Sequence, residues 1–339
     1  MSTRVLDPDP LLTASVYADH ALDRVVHEVA GATVDALRLR HSTDTWGLWW
    51  VRYSRNGDHL KIRLHGPTAK VNEAQRLLEE KAHVLFQKIS PSAGASRINN
   101  PRLPPIDRQD NVERIYEDCT LLWTDYERSP ISFGARDLLD DDEFVGAMTA
   151  CLAAGGDLVR QVAPLGEDGR MASNQRQRAV LSAAIAALAA APLTPPERTA
   201  YLNYHRGWLI RFAVSDESRE AALLAGFDRQ ADRMIAGLER TGWEARARWN
   251  AQDGGDEDGP EGAWIQSIRA MSTYAAPFRH DASRRSDPFA EDELFPFLFK
   301  ALHGVANQAG FDQLNEAFAY HALLRSTATD PAIPMVAHA

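Results

Sequence analysis

The chain has 339 residues, 45% of them hydrophobic and 25% charged, and its formal net charge is −10 at pH 7. This length supports a sizeable core in one large or two tightly packed domains, whereas the acidic balance argues against general nucleic-acid binding, which needs a basic surface. No apolar run reaches the roughly 18–20 residues of a membrane span, and residues 1–10 lack the apolar core of a signal peptide. The two cysteines, Cys119 and Cys151, lack metal-ligand spacing and suggest no disulfide framework, so a cytoplasmic protein is expected.

The first part of the chain alternates between strand and helix patterns. Five elements are predicted in chain order, a strand, a helix, a hairpin, a helix and a strand, over residues 11–17, 21–40, 46–66, 70–88 and 112–119. This β-α-β-β-α-β order is that of a ferredoxin-like fold, so the α+β class is expected, with a sheet-rich part over residues 1–135. The stretch 90–110 is rich in Pro, Ser, Asn and Gly and is predicted to be a long loop.

The hairpin is the most informative of these elements. Its turn is predicted at Asn56-Gly57, a dipeptide that tolerates the positive φ angles of a tight two-residue turn. Because successive side chains of a strand alternate between faces, the second strand has an apolar face and a polar face, formed by Leu60, Ile62 and Leu64 and by His59, Lys61, Arg63 and His65. Two imidazoles and two cations in a row are unusual for an ordinary solvated surface, which makes this face a candidate site.

From residue 136 onward the chain is predicted to be mainly helical, as the second part of a single domain that spans residues 1–339. The helical segments are predicted at 141–162, 175–191, 221–240, 264–274 and 292–325. Thr194 followed by Pro195 predicts a further helix start, whereas the aromatic-rich run 201–214 fits either a helix or a strand. The acidic run 140–143 opens a helix and is explained by the helix dipole rather than by a metal site.

The hairpin also resembles a known family in its residues. Its first strand is rich in tryptophan and ends in Arg52-Tyr53, a glycine follows at position 57, and the second strand reads His-Leu-Lys-Ile-Arg over residues 59–63. This pattern resembles the C-terminal glutamate-elimination domain of lantibiotic dehydratases, the thiopeptide-type bacteriocin biosynthesis domain, whose second strand reads His-Leu-Arg-Leu-Arg. Two weaker landmarks follow in family order: a Tyr-Glu-Arg segment at 126–128, and a late helix with His321 and Arg325 but without the family's Asn.

Departures from the family pattern bear on the reaction. Where family members that eliminate glutamate carry Glu and Arg after the Tyr-Glu-Arg segment, this chain has Ile131 and Ser132, and Lys61 replaces the first Arg of the second strand. An isoleucine cannot transfer a proton, and a serine cannot clamp a carboxylate with two parallel hydrogen bonds as an arginine does. A retained fold pattern without the elimination residues resembles the free-standing pyridine synthases of thiopeptide biosynthesis.

This resemblance implies an enzyme that works without a metal or redox cofactor. Its partner is expected to be a ribosomally made precursor peptide that carries a leader, azole rings and two dehydroalanines. A formal aza-[4+2] cycloaddition joins the two dehydroalanines, and loss of water and of the leader leaves a pyridine within a macrocycle. Neither nucleic acid nor a membrane is an expected partner, and the thiopeptide, its ring size and the oligomeric state stay open.

The resemblance and the residue chemistry together suggest the site. The catalytic candidates are Tyr274, His321, Arg63, Lys61 and Glu127. The substrate-binding candidates are His59, Arg52, Arg55, Tyr126, Gln266, Ser267, Tyr320 and Arg325, and the candidates for leader docking are Arg52, Arg55 and Arg97. Each set has a structural alternative, because cations on a strand also discourage edge pairing and late-helix residues also serve in core packing.

Two alternatives from other functional classes stay open. The first alternative is a split glutamate-elimination partner, against which Ile131 and Ser132 argue. The second is a non-catalytic subunit that binds the leader for another enzyme. Other chemistries have no motif here, because the chain lacks HExxH, clustered CxxC, Gly-x-Ser-x-Gly and a phosphate-binding glycine loop.

Overall fold

The computed structural model describes residues 6–7, 9–53, 58–89, 97–99, 118–124, 141–213, 217–240, 260–275 and 294–328. The chain divides into two compact units. Unit 1 comprises residues 1–131 and 136–175, and unit 2 comprises residues 132–135 and 176–339. The segment 136–175, expected to begin the helical part, therefore groups with the sheet.

The sheet of unit 1 has five strands: β1 (Leu12–Tyr17), β2 (Gly47–Tyr53), β3 (His59–His65), β4 (Arg97–Asn99) and β5 (Thr120–Trp123). They lie side by side in the order β2-β3-β1-β5-β4. β1 pairs antiparallel with β3 and β5, β2 pairs antiparallel with β3, and the short β4 is parallel to β5. The predicted first strand and both strands of the predicted hairpin are confirmed.

The helical segments of unit 1 are α1 (residues 22–40), α2 (Val71–Ile89) and α3 (Asp142–Val162), and α1 contains a π-helical stretch, Val25–Gly31. Both helices predicted before residue 90 are therefore confirmed. α3 begins where the acidic run predicted it, because the Asp141 carboxylate accepts hydrogen bonds from the backbone N–H groups of Glu143 and Phe144.

The apolar face of the hairpin packs into the core of unit 1. Leu60, Ile62 and Leu64 are at most 1% exposed, as the alternation predicted. α3 approaches the hairpin at Gly156, where an added Cβ would lie 2.9 Å from the Trp50 ring. A larger residue at this position would therefore push the helix away from the strand.

Two predictions in unit 1 are wrong in position. Within the strand predicted at 112–119, the described residues 118–119 are not strand, because Cys119 has a φ of +59°, outside the extended region. The strand instead covers Thr120–Trp123. The stretch 90–110, predicted to be a loop, contains β4, a strand too short to show an alternating pattern. The predicted turn at Asn56-Gly57 lies outside the described residues.

Unit 2 is built from helices: α4 (Ser173–Ala190), which starts at the end of unit 1, α5 (Pro195–Ala213), α6 (Glu217–Arg240), α7 (Pro260–Ala275), α8 (Leu294–Gln308) and α9 (Gln313–Ala328). The aromatic-rich run from residue 201 is the second part of α5, so the helical alternative holds. α5 starts as predicted, because Thr194 and Glu197 form a capping box in which the Thr194 N–H donates to Glu197 Oε2 over 2.6 Å. None of the described helices is both long and apolar enough to cross a membrane.

The single helix predicted over 292–325 is two helices. After α8, Gly310 has a φ of +79°, a conformation that suits glycine and ends a helix. The Phe311 N–H closes this end by donating to the Ala306 carbonyl oxygen over 2.9 Å. Asp312 then caps α9 by accepting from the Asn315 N–H over 2.8 Å. This turn lets α9 pack against α5 and α6.

Candidate functional site

The polar face of β3 is buried rather than solvated. The cross-strand pairs with β1 on this face are Thr13–Arg63, Ser15–Lys61 and Tyr17–His59. Arg63 is 4% exposed, His59 8% and His65 0%, whereas Lys61 is half-buried. Burying such groups is costly unless they have internal partners, so their contacts define what this face can do.

Arg63 lies at one end of a series of contacts. Its guanidinium lies 4.1 Å from the centre of the Trp49 ring, a cation–π contact. The Trp49 Nε1–H donates to His65 Nε2 over 3.0 Å, and His65 Nδ1 lies 3.0 Å from the Asp7 carbonyl oxygen. Because an indole N–H only donates, Nε2 accepts and Nδ1–H donates, which makes His65 neutral. Burial lowers the pKa of His65 to about 4, which agrees with this state. His65 therefore supports the Trp49–Arg63 pair.

His59 lies between two tyrosine rings. Its ring centroid is 4.5 Å from that of Tyr17 and 5.4 Å from that of Tyr53, with interplanar angles of 27° and 17°. The register produces this stack, because the two tyrosines are the cross-strand neighbours of His59 on either side. Tyr53 is 41% exposed, so the stack runs from the buried face to the surface.

The predicted leader-docking arginines differ in their surroundings. Arg52 donates to Asp23 Oδ1 over 2.9 Å, and both side chains are largely buried. Asp23 Oδ2 accepts from the Met171 N–H over 2.9 Å, so this ion pair ties β2 to α1 inside unit 1. Because Arg52 is largely buried and already paired with Asp23, it does not fit the role of a surface group that binds an acidic leader. Outside the described part lie the predicted residues Arg55, Tyr126 and Glu127, the departures Ile131 and Ser132, and the side chain of Arg97.

In unit 2, His321 of α9 has a protein partner at each ring nitrogen. Nδ1 lies 2.9 Å from Arg206 Nη1, and Nε2 lies 2.9 Å from Asp228 Oδ1. Because a guanidinium only donates, Nδ1 accepts and Nε2–H donates, which leaves the imidazole neutral. Burial lowers the pKa of His321, against an upward contribution from Asp228. Arg325 binds Asp228 and Asp232 over 3.0 and 3.1 Å, so the two predicted late-helix residues share a carboxylate.

Tyr274, Gln266 and Ser267 lie on α7, and all three are half-buried. The Ser267 hydroxyl donates to a carbonyl of its own helix over 2.8 Å. α7 is anchored by Trp264, whose Nε1–H donates to the Ala183 carbonyl oxygen of α4 over 3.0 Å. The helix that carries Tyr274 is thus fixed within unit 2, and the role of its hydroxyl stays a prediction.

Sequence reasoning missed most of a buried cluster in unit 2, of which it named only Tyr320. Tyr320 is fully buried, and its hydroxyl donates to Glu316 Oε1 over 3.3 Å. Three residues of α5 and α8 complete the cluster: Tyr201, His205 and His303. Tyr201 and His205, like Glu316 and Tyr320, are four positions apart, the spacing that brings two side chains together on one face of a helix. This spacing is the signal that the sequence offers.

Solved structures share this fold. The pyridine synthase TbtD from thiomuracin biosynthesis aligns over 94% of this chain and 98% of its own, with a TM-score of 0.58 and 16% sequence identity. The tRNA-dependent lantibiotic dehydratase MibB from Microbispora sp. 107891 aligns over 93% of this chain and 27% of its own, with a TM-score of 0.51 and 16% identity. At this identity the likeness concerns the fold alone. No curated protein matches the sequence.

A protein-family match covers nearly the whole chain. The family described as lantibiotic biosynthesis dehydratase C-term matches residues 12–328, from the first residue of β1 to the last residue of α9. The match spans both units and includes the hairpin, the segment 126–128 and His321, on which the resemblance was based. The chain therefore belongs to the C-terminal family of lantibiotic biosynthesis dehydratases.

Proposed function

We propose that this chain is a pyridine synthase. It catalyses a formal aza-[4+2] cycloaddition between two dehydroalanines of a leader-bearing thiopeptide precursor, and loss of water and of the leader completes the macrocycle. One observation carries the proposal. The fold of the chain matches that of the pyridine synthase from thiomuracin biosynthesis over 94% of its residues with a TM-score of 0.58, compared with 0.51 for the tRNA-dependent dehydratase.

The residues that differ from the family pattern support the same choice. Ile131 and Ser132 stand where glutamate-eliminating members have Glu and Arg, and Lys61 stands in place of an arginine. Elimination of glutamate needs a proton-transferring group and a clamp for the departing carboxylate. Pyridine formation releases no glutamate, so these substitutions are compatible with it.

The first requirement of the proposed reaction is to bring two distant residues of one peptide together. Well-oriented intramolecular reactions gain about 7–11 kcal/mol in this way. We assign Arg63 the task of holding or polarising an amide carbonyl of the bound core, with Lys61 beside it. The contact with Trp49 supports this role, because a stacked guanidinium presents its N–H groups in a fixed plane.

The second requirement is proton transfer during tautomerisation and loss of water. We assign Tyr274 the donor role, because a phenol hydroxyl carries a proton that it can donate to a substrate nitrogen or to a departing hydroxyl. His321 and Glu127 are the further candidates. His321 can act as a base only if its Nδ1 gives up its contact with Arg206.

The partner in this proposal is the ribosomally made precursor peptide. The candidates for contact with its core are His59, Tyr126, Gln266, Ser267 and Arg325, and those for its leader are Arg55 and Arg97. Tyr320 is not among them, because it is fully buried and its hydroxyl is bound to Glu316. β2 is an edge strand of the described sheet, where an extended leader can add as a further strand.

Two further proposals concern the fold and the compartment. We propose that the sheet is a ferredoxin-like sheet extended by β4. We also propose that the free thiols of Cys119 and Cys151 reflect the reducing cytoplasm.

The products separate this function from its two alternatives. The purified protein is incubated with a precursor that carries its leader and two dehydroalanines, and the masses are followed. Loss of leader and water with ring closure supports the synthase. Release of glutamate from a glutamylated precursor would support a split elimination enzyme, and binding of the leader without any mass change would support a non-catalytic subunit.

A further inference from the structure

Glu316 of α9 is buried at the centre of the cluster in unit 2, with 1% of its surface exposed. Its Oε2 lies 2.7 Å from Nδ1 of His303 on α8, and its Oε1 lies 3.0 Å from Nε2 of His205 on α5. The contact with His205 is bent away from a good hydrogen bond, whereas that with His303 is not. Burial raises the pKa of Glu316, but the two histidines outweigh it and hold the pKa at about 2. Glu316 is therefore a buried carboxylate ion.

One of the two histidines supplies the charge that balances Glu316. His205 is fully buried, and its Nδ1 lies 2.9 Å from the Tyr201 hydroxyl, which donates to it when Nε2 carries the proton. Burial lowers the pKa of His205, which is therefore neutral. Burial also lowers the pKa of His303, but Glu316 outweighs it, against a smaller opposing contribution from Lys300, and the net shift is upward. His303 is the cation of the cluster.

The second ring nitrogen distinguishes His303 from His65 and His321. Those two histidines have a partner at each nitrogen, whereas at His303 no described residue hydrogen-bonds Nε2. The His303 side chain is 33% exposed, and its ring stacks on that of Phe299 with the ring centroids 5.6 Å apart and an interplanar angle of 23°. An imidazole that is fixed at one nitrogen by a buried carboxylate and open at the other has its tautomer and orientation set for proton transfer.

We infer that His303 is a general acid for the bound precursor and that Glu316 is its positioning residue. This inference rests on the proposed function and adds an acid that the sequence motifs did not suggest. The Tyr320 hydroxyl donates a hydrogen bond to Glu316 Oε1, and Nε2 of His205 lies near the same oxygen in poorer geometry, so both contacts hold the carboxylate in place. The exposed edge of His303 is the point at which the cluster meets solvent and substrate.

The acid acts in the step that removes water from the ring. His303 Nε2 gives its proton to the hydroxyl on the ring carbon next to nitrogen, and the C–O bond breaks with both electrons leaving on water. In the cycloadduct this nitrogen is doubly bonded to the ring carbon on its other side, so the second proton comes from the CH2 group beyond that carbon. The electrons of its C–H bond form a C=C bond, the C=N bond shifts to the carbon that has lost water, and the released proton goes to Nε2. The ring loses one water in total, His303 ends as it began, and no oxidant is consumed.

Three variants test the inference on a precursor with its leader and two dehydroalanines. His303→Gln keeps a polar side chain but transfers no proton, so kcat should fall about 10²-fold while the precursor still binds. The rate of the parent protein should fall as pH rises through the pKa of His303, and this alkaline limb of the pH–rate profile should be absent in His303→Gln. Glu316→Gln should move the limb to lower pH, because the imidazolium loses its counter-charge. His41→Gln is the matched control, since His41 also faces a glutamate, Glu73, over 2.8 Å in unit 1.

The outcomes separate this inference from the proposed function. If the parent is active and a folded His303→Gln protein has the same kcat and pH profile, the role of His303 is overturned and the proposed function is not affected. A parent that forms no pyridine would overturn the proposed function and this role with it. If His303→Gln does not fold, the parent is treated with diethyl pyrocarbonate. Modification of His303 with loss of activity, both prevented by the precursor, supports the role, and modification without loss of activity overturns it.

Discussion

Trp49 and Arg63 face each other across the β2–β3 ladder, with the guanidinium 4.1 Å from the centre of the indole ring. The ring face attracts the cation and offsets part of the cost of burying it. The indole N–H is bound in turn by His65, so the ring cannot rotate away without losing a hydrogen bond. The tryptophan and arginine of the family's hairpin pattern are therefore a cross-strand pair that holds one cation on a buried sheet face.

Replacement of Arg63 should reveal whether this cation serves the reaction. Arg63→Ala should lower kcat/KM at least roughly tenfold, about the contribution of one charge-assisted hydrogen bond, and Arg63→Lys should recover only part because it lacks the planar fork. Steady-state kinetics with the precursor measure the effect. Arg40→Ala is the control, since Arg40 pairs with Glu73 at the surface. Parent-like kinetics in a folded Arg63→Ala protein would contradict the role.

Tyr274→Phe tests the proposed hydroxyl donor because it keeps the ring and removes one oxygen. If the hydroxyl donates a proton, the variant should fold and bind the precursor normally but react on the order of 10²-fold more slowly in single turnover. Thr273→Val is the control, since the Thr273 hydroxyl binds the carbonyl of Arg269 in its own helix over 3.1 Å. Equal rates for Tyr274→Phe and the parent would mean that Tyr274 only packs.

Arg52 should prove structural, in contrast to Arg55. Removing Arg52 leaves the Asp23 carboxylate buried without its counter-ion, so Arg52→Ala should lower the free energy of unfolding by about 3 kcal/mol. Urea denaturation measures this change. Arg55→Glu should instead leave stability unchanged and raise the KM for an acidic leader, more so at low salt. A stable Arg52→Ala protein whose KM alone is raised would return Arg52 to the leader-docking set.

The burial of His65 predicts how stability depends on pH. Its pKa is about 4 in the folded chain and about 6.5 in the unfolded chain, so between these values only the unfolded chain binds the proton. The free energy of unfolding should therefore fall as pH drops from 6.5 to 4, with His65 contributing on the order of 3 kcal/mol of the fall. Chemical denaturation across this range should show a smaller fall for His65→Gln than for the parent. His83→Gln, which alters a histidine beside the exposed Gln87, should retain the parent's pH dependence.

The elements that the sequence predicts well are those with local signals. The alternation in residues 59–65 fixed the two faces of β3, and the Thr194–Glu197 capping box fixed the start of α5. β4 has three residues and pairs in parallel with β5, which begins only at Thr120, so local patterns do not reveal it. The break at Gly310 is a single left-handed residue inside an otherwise continuous helical pattern, which explains why one helix was predicted there.

The candidate site was less predictable because its geometry depends on tertiary contacts. The hairpin sequence indicates that Arg63 and His59 are candidates. Only the cross-strand register shows that Arg63 stacks on Trp49 and that His59 stacks between two tyrosines. The family pattern identifies His321 as a candidate. His303 and Glu316 lie on two different helices, and only the contact between them in the structure makes them candidates. Residues that were predicted from motifs therefore need their partners before a role can be assigned.

The mass and ring structure of the product decide whether this chain forms a pyridine. The purified parent protein is incubated with a precursor that carries its leader, azoles and two dehydroalanines, without added cofactor, and the products are followed by mass spectrometry and NMR. A pyridine synthase should give a released leader and a core that is lighter by the leader and one water, with the aromatic proton signals of a new pyridine. An unchanged precursor, or glutamate released from a glutamylated precursor without ring formation, would contradict it.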